Sequence, residues 1–132
     1  MQALGVRATA PQKYQQQTPC NFVKACIGSN CILYRCLIDT GSSINAIRFA
    51  AARKLHLQID ATPPGFQGLV SANKTKMAVR GKTSAMVRIG DFMAEIEFSV
   101  IDELQHPIIF GMQALQEHNA CIDFAGPYLI IG

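Results

Sequence analysis

No apolar run in this chain approaches the roughly 20 residues that a membrane helix needs, because charge or glycine interrupts every candidate within about a dozen positions. A membrane partner is therefore not expected. Met1–Gln17 is polar and glutamine-rich and lacks the apolar stretch of a secretory signal. A cytosolic or nuclear location is expected, not a secreted one. Charge is also scarce, at 16% of residues, and twelve Lys and Arg against nine Asp and Glu leave a formal +3. That surplus is too small to imply nucleic acid as a partner. The five cysteines are an odd number and too few for a secreted disulfide scaffold. Cys20, Cys26, Cys31 and Cys36 form no C-x-x-C pair of the kind that structural zinc sites use, so no metal is expected. They read as small apolar core residues in reducing surroundings, as does Cys121.

What the chain does have is apolar material, 49% of its 132 residues, which excludes wholesale disorder and fits one compact domain. Residues 1–17 read as a flexible lead-in and 18–132 as the domain. From Cys20 onward the pattern is β-rich. Asn21–Ile27 and Ile32–Ile38 flank Gly28-Ser29-Asn30, which suits a tight hairpin turn. The run Cys36-Leu37-Ile38 predicts a strand end buried on both faces. Ile44–Ile47 predicts a short strand, and Arg48–His56 a short helix with basic residues toward its end. Asp60–Gly68 reads as a connection and Leu69–Arg80 as an exposed hairpin with its tip near Ala72-Asn73-Lys74. Thr83–Ile89 and Phe92–Ile101 predict two strands joined at Gly90-Asp91. Pro107–Phe110 predicts another buried strand, Met112–His118 a short helix stopped by Asn119, and Ala120–Phe124 with Tyr128–Ile131 the closing strands. Eight or so short strands with two short helices suggest a mostly-β barrel or sandwich.

The most informative segment is Leu37-Ile38-Asp39-Thr40-Gly41-Ser42. A carboxylate directly after a buried strand is costly to desolvate unless something satisfies it. Thr40 and Ser42 offer hydroxyl donors, and Gly41 lets the backbone approach and offer its N–H. An ordinary Asx-turn would account for the tripeptide alone. The order of the elements that follow it argues for more.

That order resembles the retropepsin-like aspartic proteases of retroviruses, LTR retrotransposons and the DNA-damage-inducible ubiquitin-shuttle proteins. The resemblance covers about Phe22 to Gly132. It rests on Leu37–Ser43, on Gly90-Asp91-Phe92 with Phe98–Ile101, on Ile108-Ile109-Phe110-Gly111, and on the closing Cys121–Phe124 and Leu129–Gly132. It implies a mostly-β closed barrel with one or two short helices and a flap hairpin. By the same resemblance Asp39 is the catalytic aspartate, supported by Thr40, Gly41 and Ser42. Leu69, Val70, Ser71, Ala72, Asn73 and Lys74 belong to a flap that closes on substrate. Ile108, Ile109, Phe110 and Gly111 form the hydrophobic-Gly strand behind the active-site loop. No cofactor is implied.

Peptide hydrolysis by this route uses two aspartates that share a proton. The chain has one D-T-G, and Asp60, Asp91, Asp102 and Asp123 lack its setting. The second carboxylate is therefore expected from another copy, as a homodimer acting as an endopeptidase on polypeptides. Two departures bear on this reading. The hairpin tip Ser71–Lys76 lacks the glycines of many retropepsin flaps. Met112 and Gln113 stand where a charged buttress is frequent, and the chain is similar there to the nuclear-receptor-interacting proteins. The alternative is a weak or inactive dimer of the same fold that serves as a protein-interaction module. The basic stretch Lys74, Lys76, Arg80, Lys82 and Arg88 reads as a solvated face, and nucleic acid is not expected. His56, His106 and His118 are scattered and read as surface or capping residues.

Overall fold

Glycine sets the first reversal. The computed structural model describes residues 12–15, 22–29, 32–61, 69–70, 76–123 and 128–132. Strand β1 is Gln12–Gln15, β2 is Phe22–Ile27 and β3 is Leu33–Ile38. Gly28 at φ +74° lies in the left-handed region that side chains disfavour, and there the chain turns back so that Val23 pairs with Cys36 and Ala25 with Tyr34. β4 (Ala46–Arg48) leads straight into α1 (Phe49–Lys54). Then come β5 (Asp60–Ala61), β6 (Leu69–Val70), β7 (Lys76–Met77), β8 (Val79–Ile89) and β9 (Phe92–Ile101). β10 (Ile108–Phe110), α2 (Met112–Glu117), β11 (Cys121–Asp123) and β12 (Tyr128–Ile131) complete the chain.

Six strands close into a mixed barrel in the order β2-β3-β10-β4-β9-β8, with β8 pairing back onto β2. The β3–β10 and β4–β9 pairs are parallel and the others antiparallel. Closure follows from alternation. Along β8, Ala85, Val87 and Ile89 point inward while Ser84, Met86 and Arg88 are exposed, and β9 repeats the pattern with Ile96, Phe98 and Val100 inside. Phe98, Val87, Val100, Ile27, Ile47 and Ile108 are fully buried at the barrel centre. α2 adds Ala114 and Leu115 to this core, and β12 adds Leu129 and Ile131. A second, smaller cluster of Ala46, Ile101, Leu104 and Ile109 lies apart from that core, flanked by Leu37, Ile44 and Val79.

Both helices are short and neither has a side-chain cap from its own N-cap residue, so packing supports them. Each ends with a left-handed residue, His56 at φ +57° and Asn119 at φ +52°. The Ala120 N–H donates to the Leu115 carbonyl and the Asn119 N–H to that of Gln116, which closes α2 as the asparagine stop predicts.

Several expectations change. Gln12–Gln15, part of the expected lead-in, pairs with Tyr128–Ile131 because β12 offers an open edge. The expected connection begins as β5, whose Asp60 pairs with Lys82. There Gly81 is required, since a Cβ would fall 2.0 Å from the Asp60 carbonyl oxygen. Leu37 is half-buried, not buried on both faces, because it turns toward the smaller cluster. β4 starts two residues later than expected, because Ile44 and Asn45 still belong to the loop.

The junction of β10 with α2 positions everything that follows. A Cβ on Gly111 would lie 2.0 Å from the Ile44 carbonyl oxygen and 2.7 Å from that of Ser42, both backbone atoms with no room to yield. Gly111→Ala is therefore expected to force the two segments apart and to lower the thermal midpoint more than an alanine at exposed Gly90's neighbour Asp91. Phe98→Ala empties the barrel centre, and chemical denaturation should show a loss of about 3–5 kcal/mol.

Candidate active site

Asp39 directly follows the last residue of β3, and its half-buried carboxylate is held by a backbone N–H and by no cation among the described residues. The Asp39 N–H donates to the Phe110 carbonyl at 2.9 Å, which continues the β3–β10 pairing of Ile38 with Phe110 by one residue. Its carboxylate Oδ1 accepts the Gly41 N–H at 2.9 Å. A Cβ on Gly41 would lie 3.2 Å from that same oxygen, so glycine gives the closest unhindered approach. The Ser42 N–H then donates to the Asp39 carbonyl at 3.1 Å and closes a tight loop. The second carboxylate oxygen receives no hydrogen bond from a described residue.

The hydroxyls behave differently from the sequence expectation. Ser42 Oγ donates to the Ile44 carbonyl at 2.7 Å, away from the carboxylate, while the Ser42 carbonyl accepts the Met112 N–H at 2.7 Å. Ser42 thus shapes the loop and ties it to α2. Thr40 is exposed, and its hydroxyl is engaged by no described residue. A short hydroxyl was legible in sequence as a donor, but a local backbone carbonyl outcompetes the carboxylate for Ser42.

Behind the loop, Ile108, Phe110 and Gly111 are buried, and Ile109 bridges Leu37 of β3 and Ala46 of β4. Asp39, Thr40, Gly41 and Ser42 are therefore brought against the Ile108–Gly111 segment. Two residues that sequence reading passed over hold the surroundings. Asn45, only 2% exposed, accepts the Gly111 N–H at 3.0 Å and the Ala114 N–H at 3.2 Å with its carboxamide oxygen. Arg48 donates from Nε to the Leu104 carbonyl at 2.8 Å and from a terminal nitrogen to that of Gln105 at 2.9 Å, which fixes the segment before β10. A lone Asn in an apolar stretch is a signal that could have been read, because a buried amide must find partners.

β6 and β7 pair as expected of a hairpin, Leu69 with Met77 and Val70 with Lys76. Ser71, Ala72, Asn73 and Lys74 lie outside the described residues. At the hairpin base Arg80 Nε meets both oxygens of Asp102 at 2.8 and 2.9 Å and its guanidinium lies 4.3 Å from the Phe49 ring centre. With Lys82 paired to Glu97 at 3.6 Å, part of the basic stretch is neutralised within the chain. The remaining aspartates are placed elsewhere: Asp60 on β5, Asp91 in the β8–β9 turn, Asp102 on Arg80 and Asp123 on β11. Among the described residues no cluster of three or more His, Cys, Asp or Glu could hold a metal ion. Cys36, close before the loop, is fully buried, and burial pushes its thiol far above the ordinary range, so it is chemically inert toward the site.

A family model for the PEG10/RTL1 protease domain matches residues 35–129, from within β3 to within β12. No curated protein sequence matches. Among solved structures, the retroviral protease-like domain of Ddi1 from Leishmania major superposes with a TM-score of 0.64 at 14% identity, covering 88% of this chain and 96% of that one. A retropepsin-like aspartic protease from Rickettsia conorii gives 0.59 at 21% identity, with coverages of 83% and 80%. The EIAV protease, solved with the inhibitor HBY-793, gives 0.58 at 16% identity, with coverages of 79% and 91%. These likenesses carry the fold, which is retropepsin-like, and the family match spans most of the sequence. The chain belongs to the PEG10/RTL1 protease domain family.

Proposed function

We propose that this chain acts as a homodimeric aspartic endopeptidase whose active centre is an Asp39 pair, one from each copy. The observation that carries the proposal is the Asp39 carboxylate itself. One oxygen is fixed by a backbone N–H, the other is engaged by no described residue, and no further aspartate shares its setting. A single carboxylate is half of the required chemistry. Across a two-fold axis it would meet its own counterpart, the commonest form of protein association. Exposed Thr40, next to it and engaged by no described residue, is available to the partner copy.

In the mechanism the two carboxylates hold one proton between them, because like charges at contact distance cannot both ionise easily. The ionised member takes a proton from a water molecule as that water attacks the peptide carbonyl. The protonated member donates to the carbonyl oxygen, and collapse of the tetrahedral adduct expels the amine with a proton. Strand-like hydrogen bonds to an extended polypeptide, with the Leu69–Met77 hairpin above it, would provide binding. The EIAV protease of the same fold accommodates an inhibitor, which supports a ligand-accepting cleft. The proposed setting is a reducing one, cytosol or nucleus, consistent with the buried, unbridged thiols of Cys26 and Cys36.

A second reading, a protein-interaction dimer with vestigial catalysis, is favoured by one feature. The first turn of α2 carries no acidic residue, and Met112 and Gln113 are neutral. A pepstatin-type inhibitor separates the two readings. It should raise the melting temperature of the wild type and leave that of Asp39→Ala unchanged, whereas equal behaviour favours the interaction module.

Asp39→Asn should abolish cleavage of a peptide library while leaving the circular dichroism spectrum intact. Specific activity of the wild type should fall on dilution toward monomer, and full activity in a monomeric sample would reject the proposal. The shared proton sets the pH dependence. Activity should be greatest at acid to mildly acid pH and decline as the pair loses its second proton, so a flat profile into alkaline pH contradicts it.

A further inference from the structure

Two demands meet at Gly111 and conflict. The close approach to the Ile44 and Ser42 carbonyls admits no Cβ, so this position must be glycine. Yet Gly111 is also the N-cap of α2, where a side-chain acceptor is wanted for the first helical N–H groups, and glycine has none to give. Asn45 supplies it from 66 residues away. Its Oδ1 takes the Gly111 N–H at 3.0 Å and the Ala114 N–H at 3.2 Å, the N-cap and third helical positions. Its Nδ2 donates to the Glu97 carbonyl of β9 at 3.1 Å, and its own carbonyl accepts the Ser99 N–H at 2.9 Å. One side chain therefore joins the end of the Asp39 loop, β9 and the start of α2.

The next link reaches Asp39. With α2 capped in this way, its Met112 N–H meets the Ser42 carbonyl at 2.7 Å, and Ser42 in turn closes the loop on Asp39. The line from Asn45 to the Asp39 backbone runs through two backbone hydrogen bonds and the Gly111 contact, with no flexible side chain in between, and the Gly41 N–H of the same loop holds the carboxylate. We infer that Asn45 is the positioning residue that sets the Asp39 carboxylate for pairing, by capping α2 from outside the helix. This deepens the peptidase reading and rests on it for its kinetic consequence. Removing the amide leaves two buried N–H groups without an acceptor, and the helix start must shift or admit water to satisfy them. A displacement near 1 Å at a reacting group costs on the order of 100-fold in rate.

The test compares three variants of the full chain. Asn45→Ala should lower kcat about 100-fold with KM changed less than about threefold, since the loop and not the binding strands is disturbed. Asn45→Asp keeps the acceptor oxygen and should restore kcat to within about tenfold of the wild type. Thr83→Val is the structural control. Thr83 is the other buried polar side chain among the described residues, 2% exposed, and its hydroxyl donates to the Gln58 carbonyl at 2.6 Å on a different part of the barrel. It should lose stability while keeping kcat. Amide hydrogen exchange supplies a readout that needs no activity. The Ser42 and Met112 amides should exchange faster in Asn45→Ala and stay protected in Thr83→Val and Asn45→Asp.

An Asn45→Ala protein that keeps kcat within about threefold, or a Thr83→Val protein that loses as much, overturns the inference. If the wild type cleaves nothing, the peptidase reading fails on its own, and the exchange of Ser42 and Met112 then decides the role of Asn45. Unchanged protection in Asn45→Ala would overturn it. Should Asn45→Ala not fold, Asn45→Asp decides: loss of its protection or turnover overturns the inference, and retention of both upholds it.

Discussion

The backbone contact between the Asp39 loop and the β10–α2 junction is the constraint on which the site depends. Asp39 is placed by the Phe110 carbonyl, Ser42 by the Met112 N–H, and the two segments touch at Gly111 with no space for a side chain. All of these partners are main-chain atoms within a sheet and a helix that the barrel core already fixes. A carboxylate held in this way is positioned by the fold itself, and its own side-chain freedom is spent on one hydrogen bond to Gly41. Functional groups supported by regular elements are more exactly located than groups on free loops, which is what proton sharing between carboxylates needs.

The barrel explains how a short chain supplies so firm a base. Closure through β2–β8 removes the open edges that a flat sheet would leave, and the inward residues of β8 and β9 form one continuous core. The smaller cluster of Ala46, Ile101, Leu104 and Ile109 stiffens the strands that carry the site. Arg48 and Arg80 anchor the segments around it by bonding to carbonyls and to Asp102, so the polar work near the site falls to structure and leaves Asp39 without a cationic partner among the described residues.

Much of this was legible in the sequence because the signals are local. The alternation in Ala94–Phe98, the turn residues Gly28 and Gly90, the Asn119 stop and the Asp39-Thr40-Gly41 segment each act over a few residues, and each appears where periodicity or turn chemistry puts it. The rest depends on contacts distant in the chain. Leu37 looked buried on both faces because nothing nearby reveals a second apolar cluster. Ser42 looked like a donor to the carboxylate because its competitor, the Ile44 carbonyl, is defined only once the loop is folded. β1 and β5 are pairings to partners far along the chain and have too few apolar residues to announce themselves. Asn45 stands out in the sequence as a lone amide in an apolar stretch, but its three partners, from β9, Gly111 and α2, are distant in the chain.

The account stands on two Asp39 carboxylates close enough to share a proton. Its most direct test is a pH titration of the carbon-13 resonance of the Asp39 carboxyl in dimeric protein. Proton sharing predicts two titration steps separated by more than about one pH unit, which merge into one step when the dimer is dissociated. A single step at the ordinary carboxylate value, seen equally in dimer and monomer, would contradict it.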